Sequence, residues 1–503
     1  MHSIKHYDHI VVGGGISGLS LSLLLGMTGN KVLLLEKGKN IGGALFRFRR
    51  NGIPFDTGFH FTGGFYKNGI LNDMLTVLGI HDRIHPLVFS GPGASRFVFE
   101  SEQEAFDIPV GIDNLIPVLK KRFPREHAAI DRYFDLIRRV CANTTAMNLR
   151  KTMMLADTMD EDFVSLQEVL DQLTGNELLK GFCCGYCMCY GVKPSEISFA
   201  NHARVAVGLY ETLARVKDGG DAFIQAFQER FKAYDIEIRC NTSIEHCIEI
   251  RDQQVRTFLL SDGEEVAAKF CIFTIHPQEV LKILPREHFS KAFRDRVDAF
   301  EPSLGFFSAH GVVEDCKPDD DFGPSIVSLY PLPNLNTLLS PEYDGPQALV
   351  MLRNKESADG KVYNVVTAFE PSFREHVAPW RDSSVGKRPK GYRDYKERRM
   401  NLIHQRFTEY YPEYKNSFKI IDAASMLTFR DYLHSPEGCA YGIKQKIGQF
   451  NLFGKLPLSN IYVAGQSAVM PGIVGAMISS FIVTRSLVGK EKYGQFIEER
   501  LAH

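Results

Sequence analysis

The chain has 503 residues, 44% of them hydrophobic and 24% charged, with a formal net charge of −1. That length exceeds what one core serves, so two or more domains are expected, and the hydrophobic fraction excludes a disordered tail. The near-neutral balance excludes a nucleic-acid binder that draws its affinity from an excess of Lys and Arg.

The stretch from Asp8 to Gly26, "DHIVVGGGISGLSLSLLLG", opens the chain's organisation. It reads as an apolar strand, a GxGxxG turn on Gly13, Gly15 and Gly18, and a helix that Gly29 stops. No signal-peptide pattern precedes it, and no apolar run reaches the roughly 18 residues of a spanning helix. The expectation is a cytoplasmic protein, soluble or attached to a membrane by one face. Its ten cysteines follow no disulfide framework, which suits a reducing compartment.

"KVLLLEKG" supplies a second strand, apolar throughout as a parallel strand covered on both faces should be. In such a βαβ unit Gly13 permits the tight turn, Gly15 lets a pyrophosphate approach the backbone, and Gly18 lets the helix pack on the sheet. Glu36 ends the second strand where a carboxylate accepts hydrogen bonds from a ribose, and it disfavours a 2′-phosphate. Gly42 and Gly43 follow, then "FDTGFHFTGG" from Phe55 to Gly64. A glycine pair there lets the chain hug an extended cofactor, which points to FAD rather than NAD. "GPGASR" (Gly91–Arg96) leads into no helix pattern, so no second dinucleotide domain is expected.

Further along, "VLKKRFPREHAAIDRYFDLIRRV" has helical periodicity, and its basic face suits either solvent or a lipid surface. "GFCCGYCMCYG" groups Cys183, Cys184, Cys187 and Cys189. No second knuckle completes a zinc site, which leaves a redox pair or, favoured here, a packed helix of small residues. The segment from Asp235 to Pro277 alternates strand signals around a "SDGEE" hairpin turn. Ser303–Glu370 is rich in strand formers, and "RDSSVGKRPKGYRDYKERR" reads as a solvated loop leading into a helix. "NIYVAGQSAVMPGIVGAMISSFIVTRSLVG" is again strand, Gly-rich loop and helix.

The fold class is therefore α/β: a Rossmann-type domain assembled from discontinuous segments, plus an α+β substrate domain. The nucleotide domain takes 1–81, 205–300 and 439–503; the substrate domain takes 82–204, mostly helical, and 301–438, strand-rich and then helical.

The Gly-Gly element, the "FDTG" loop and the late block resemble the FAD-dependent family of phytoene desaturases, carotenoid isomerases and retinol saturases. The histidine two residues past the glycine of "FDTGFH" is most similar to the retinol saturase branch. "KDGGDAFIQAFQERF", "NTSIEHC" and "FTIHP" resemble further family segments. The resemblance spans Asp8–Gly64, Asp218–Pro285 and Asn460–Leu487, and is weak between them.

It implies a glutathione-reductase-like FAD domain of the amine-oxidase and desaturase type. It also implies cofactor contacts from Ile16, Ser17, Lys37, Ala44, Ile244, Thr274 and Gly465. Gln466 stands where many relatives carry an acid. The backbone of Gly475, Ala476 and Met477, at a helix start, is the implied neighbour of the flavin O2 edge. His60 is the catalytic candidate, as a proton carrier beside the flavin or as a residue that orders its loop.

The activity so implied is hydride transfer at flavin N5 to or from a carbon–carbon bond of an apolar polyene or isoprenoid. Quinone, oxygen or a redox protein is the electron partner. The alternatives are a redox-neutral cis/trans carotenoid isomerase, an amine-oxidase-type flavoenzyme and a prenyl-lipid chaperone without flavin. The chain's 36 Phe against one Trp suit an apolar tunnel, and equally suit two large cores.

Overall fold

The computed structural model describes residues 4–89, 95–150, 158–314 and 325–502. The first elements are β1 (Lys5–Val12), α1 (Ile16–Met27) and β2 (Val32–Leu35), then the ribbon β3 (Arg47–Arg50) and β4 (Ile53–Asp56). Next come β5 (Ser95–Phe99), β6 (Glu104–Ile108), α2 (Ile112–Arg122), α3 (His127–Asn143), α4 (Phe199–Glu211) and α5 (Gly219–Phe231). Four strands follow: β7 (Ile236–Arg239), β8 (Ile244–Arg251), β9 (Gln254–Leu260) and β10 (Glu265–Phe273). A second group is β11 (Gly305–Val313), β12 (Ile326–Tyr330), β13 (Leu349–Ala358) and β14 (Lys361–Ser372). The chain continues through α6 (Lys390–Tyr410), β15 (Phe418–Ala424), β16 (Ile461–Val463) and α7 (Gly472–Val488).

The first sheet runs β8-β9-β10-β1-β2-β7, with β16 parallel to β10. β1 lies between β10 and β2, parallel to both, and β2 is buried at every position. A strand covered on both faces can carry only apolar residues, which is why "VLLL" has no alternation. Gly29, at φ +85°, turns the chain out of α1 and into β2. The β9–β10 hairpin turns at Gly263, also at positive φ, where the "SDGEE" stretch places it. This Rossmann-type sheet is built from three separated segments.

The second sheet runs β15-β11-β14-β13-β12-β5-β6. Its β5 and β6 come from the stretch read as mostly helical, and β5 joins β12 in parallel. The division placed at residue 204 falls inside α4. Ala200, Ala203, Ala206 and Tyr210 of that helix share a core with Tyr133 of α3 and Phe182, so its apolar face keeps it with the second domain. The "GPGASR" stretch lies partly outside the described residues; Ser95 and Arg96 begin β5.

The basic stretch 118–140 forms α2 and α3, broken near Pro124. Ile130, Tyr133, Phe134 and Ile137 of α3 face the core, while Lys120 pairs with Asp131 at 2.7 Å and Arg138 with Asp113 at 2.6 Å. Among the described residues no helix is long and apolar enough to cross a membrane.

Candidate active site

The glycine turn is held by contacts that leave one side of it clear. Gly13 has φ +106°, and a Cβ on Gly18 would sit 1.9 Å from the Gly13 carbonyl oxygen. Only hydrogen fits at Gly18, so α1 rests directly on the turn. A Cβ on Gly15, by contrast, would meet nothing within 4 Å. That open face is the approach a pyrophosphate needs.

Glu36 reaches back to the same turn, its Oε2 accepting from the Gly14 amide at 2.7 Å and its Oε1 from the Gly38 amide at 2.6 Å. Gly42, at φ +121°, donates its amide to the Gly14 carbonyl at 2.7 Å, which brings the glycine pair against the turn.

A cavity of about 1400 Å³ runs from this turn into the second domain. That exceeds the roughly 300–1,000 Å³ of a pocket for one small molecule. Gly13, Gly15, Glu36, Lys37, Gly43 and Ala44 line its near end. Ile244, Thr274, Gln466 and Gly475 reach it from the other two nucleotide segments. Positions as far apart in the sequence as Gly13 and Gly475 thus meet at one wall.

The remaining cofactor-binding candidates do not line the cavity. Ile16, Ser17 and Gly18 open α1, and the Ser17 hydroxyl lies 2.9 Å from that of Ser480, tying α1 to α7. Gly42 packs against Ile224, and Gly465, at φ +109°, passes close to the Thr274 carbonyl. Ala476 and Met477 require a correction. The helix α7 begins at Gly472 with Pro471 as its N-cap, so the amides without an intrahelical acceptor are those of residues 472–474. Ala476 and Met477 lie past that first turn, with Met477 fully buried in the core. The cavity is lined instead by Gly472, Ile473, Val474 and Gly475.

His60 lines the cavity from the FDTG loop, its ring stacked on Phe369 at 5.5 Å between centroids. The loop is pressed between domains: a Cβ on Gly63 would lie 2.1 Å from the Gly208 carbonyl oxygen of α4. Burial lowers the His60 pKa, against the pull of Asp56, so the imidazole is neutral. What surface His60 keeps faces the cavity.

A second histidine, which the sequence reading missed, stands beside it. His310 on β11 lines the cavity, with Nε2 3.1 Å from the Ser308 hydroxyl, and burial pushes it down to about 3. In the sequence it is one residue in the strand "GFFSAHGVV", and nothing local shows that its face meets the cavity.

The second sheet forms the cavity floor in one register row. Ser308 pairs with Phe369, Phe369 with Val350, Val350 with Ser328, and Ser328 with Phe97. All five line the cavity. Directly paired residues point to one face, so these side chains make a continuous surface leading away from His60.

A buried charge cluster anchors the loop that carries His60. Arg47 Nε lies 2.7 Å from Asp56, Arg47 Nη2 lies 2.7 Å from Glu356, and Arg215 contacts both acids. Asp56 is the acid of "FDTG"; Glu356 belongs to β13 of the other domain. Two cations and two anions share the site, so their desolvation is offset in pairs.

The four grouped cysteines are free thiols. Cys183, Cys184 and Cys187 are core residues, and burial raises the Cys183 and Cys184 pKa values. Cys189 lines the cavity and is pushed up to about 12 by burial. Thiols so disposed are small and apolar in behaviour.

Comparison with known proteins agrees with this architecture. Residues 11–78 match the model of an NAD(P)-binding Rossmann-like domain. An all-trans-retinol 13,14-reductase of Danio rerio is 25% identical over 541 aligned positions, covering 95% of this chain and 86% of that protein. A 15-cis-phytoene desaturase of Solanum lycopersicum is 22% identical across 56% of this chain and 48% of its own. Among solved structures, a putrescine oxidase bound to putrescine superposes with a TM-score of 0.65 at 15% identity, covering 97% and 99% of the two chains.

Proposed function

The chain belongs to the family of phytoene desaturases, carotenoid isomerases and retinol saturases, and on that premise we propose that it is an FAD-dependent oxidoreductase acting on carbon–carbon bonds of an apolar polyene or isoprenoid. The observation that carries this reading is the cavity floor, Ser308–Phe369–Val350–Ser328–Phe97. It offers an extended, largely apolar molecule a path that passes His60 and ends in the second domain.

The residues at the near end fit FAD. The open face of Gly15 leaves room for its pyrophosphate, and Glu36 is placed for its ribose. The amides of residues 472–474 are free for the flavin's electronegative edge. Bound FAD would supply a two-electron acceptor or donor at N5.

The chain's own residues then do three things. The floor and Phe369 align the substrate carbon chain and exclude water, which matters more for an unactivated C–H bond than strong acid–base groups. The two hydrogens of a saturated bond part as a hydride and a proton, and neutral His60 is available to carry the proton. The charge cluster fixes Asp56, and through it the loop that presents His60.

Near His60 the cavity offers neutral His60 and His310 and the ring of Phe369. Arg50 and Lys396 also line it, close enough to His310 to lower its pKa, which makes a poor setting for a protonated amine substrate. An amine-oxidase reading is therefore the weaker one. Flavin absorbance of the purified protein tests the cofactor, and anaerobic mixing of the oxidised and then the reduced protein with a panel of polyenes tests the reaction. Bleaching or recovery of the flavin band with a polyene, and none with amines, is expected; the reverse would overturn the reading.

A further inference from the structure

The cavity floor has a second register row, and one of its ends is charged. Asp422 pairs with His310, His310 with Thr367, Thr367 with Leu352, Leu352 with Ile326, and Ile326 with Ser95. Asp422, His310, Ile326 and Ser95 all line the cavity. Five strand spacings separate the two ends, about 24 Å at the usual interstrand distance. The Ser95 end is uncharged, with Phe97 two residues along its strand and Tyr186 against it.

At the other end, Arg50 of β3 and Lys396 of α6 line the cavity beside Asp422 of β15. Both lie close enough to His310 to lower its pKa. Between them they have one acid. The Asp422 Oδ2 accepts from Arg50 Nε at 2.6 Å, and its Oδ1 accepts from the Ala423 amide at 2.7 Å. With both oxygens engaged, Lys396 Nζ donates instead to the Ala423 carbonyl at 2.5 Å. Among the described residues Lys396 forms no ion pair, and burial lowers its pKa against the more distant pull of Asp422. Arg388, which also lines the cavity, is paired with Asp431.

The contrast with the cluster at Asp56 is one of balance. There two cations meet two anions; here two cations share one. A half-buried ammonium with only a carbonyl for a partner keeps much of the cost of its lost hydration, and an anion entering from the cavity would offset it.

Resting on the polyene reading, we propose that Arg50 and Lys396 form an anion subsite at the charged end of the floor, which receives a carboxylate or phosphate at one end of an otherwise apolar isoprenoid substrate. Lys396 donates to the anion through an N–H that Ala423 does not use, and Arg50 donates through its Nη2. The hydrocarbon tail then lies along the row from His310 towards Ser95. The subsite gives the substrate a direction in the cavity, and it sets the bond beside His60 near the charged end.

The test measures dissociation constants on the flavin-loaded protein, read from the change in flavin absorbance. Its ligands share one polyene skeleton and end in a carboxylate, a phosphate monoester, a methyl ester or an alcohol. The two anions should bind about 10-fold more tightly than the uncharged pair, the scale of one charge-assisted hydrogen bond. The tighter of the two anions identifies the head group. Lys396→Gln should erase the preference, and Lys396→Arg, which keeps the charge, should retain most of it. The flavin spectrum and the binding of the methyl ester check that each variant is folded. Equal binding of acid and ester, or a preference that survives Lys396→Gln combined with Arg50→Gln, would overturn the subsite and leave the polyene reading standing. Inorganic phosphate that competes at the acid's own concentration would also overturn it, because the tail would then contribute nothing. If no member of the set binds the unaltered protein, the polyene reading falls and the subsite falls with it.

Discussion

The Glu36 carboxylate accepts a hydrogen bond from the Gly14 amide at 2.7 Å, so the end of the second strand and the glycine turn are held by one side chain. Its other oxygen takes the Gly38 amide at 2.6 Å. A residue read from sequence as a ribose acceptor is therefore also a brace for the turn itself. Glu36→Ala should lower stability by about 1–3 kcal/mol, the cost of leaving such donors unpaired, and should weaken flavin retention as well. Thermal melting with and without added FAD separates the two losses.

Gly15 and Gly18 lie three residues apart and should fail differently when changed to alanine. Gly15→Ala places its methyl in open space and should fold normally while losing flavin. Gly18→Ala drives a methyl to 1.9 Å from the Gly13 carbonyl oxygen, and overpacking against backbone should cost about 3 kcal/mol or more. Chemical denaturation and flavin absorbance on both variants check the contrast.

His60→Ala should keep its yellow colour, since His60 stacks on Phe369 rather than on the nucleotide turn. Turnover should fall about 100-fold or more if the imidazole carries the proton, while the dissociation constant of a polyene changes little. Single-turnover kinetics on the flavin band, against equilibrium binding, would read that split. A loss confined to binding would assign His60 to ordering its loop.

The charge cluster makes a stability prediction. Glu356→Ala leaves Arg47 and Arg215 sharing Asp56 as their one ion-paired acid, all of them buried. Breaking a buried pair in this way costs about 3–5 kcal/mol. Because the site is shielded from solvent, the loss should change little with added salt. Denaturant midpoints at low and high ionic strength provide the measurement.

Four buried histidines set how stability varies with pH. Burial pushes His202 and His310 down to about 3, and His9 and His276 down to about 4. Unfolded, each titrates near 6.5. Between these values the unfolded chain binds more protons than the folded one, so stability rises with pH. The contribution is complete above about pH 6.5 and is lost as pH falls towards 4, at about 1.4 kcal/mol per unit for each histidine. Stability curves from pH 7.5 to 5, with proton uptake on unfolding, should show that slope.

Much of the nucleotide domain was legible because its chemistry is local. Gly13, Gly15, Gly18 and Glu36 sit within one βαβ unit, and their spacing dictates their geometry. Ile244, Thr274 and Gln466 were reached through the family resemblance, and the structure brings them to the same wall. The second sheet was legible in composition but not in register. Nothing in "SRFVF" shows that Ser95 pairs with Ile326, or that His310 lies four strands away in the same row. Such pairings are fixed by tertiary packing, and a single-residue slip would turn every side chain to the other face. Ala476 and Met477 were misjudged for a different reason: helix starts are soft in sequence, and α7 begins three residues before Gly475.

The interleaving of the two sheets has a consequence for synthesis. As the chain leaves the ribosome, β5 emerges with Phe97 and Phe99 long before β12, its parallel partner, exists. β10 likewise waits for β16 on the side that closes the nucleotide site. For much of translation the growing chain therefore carries an unpaired strand edge and bare apolar surface, the state most prone to wrong association. A chain stopped short of residue 461 would have neither a finished cofactor wall nor a closed cavity, and would belong to chaperones rather than to chemistry.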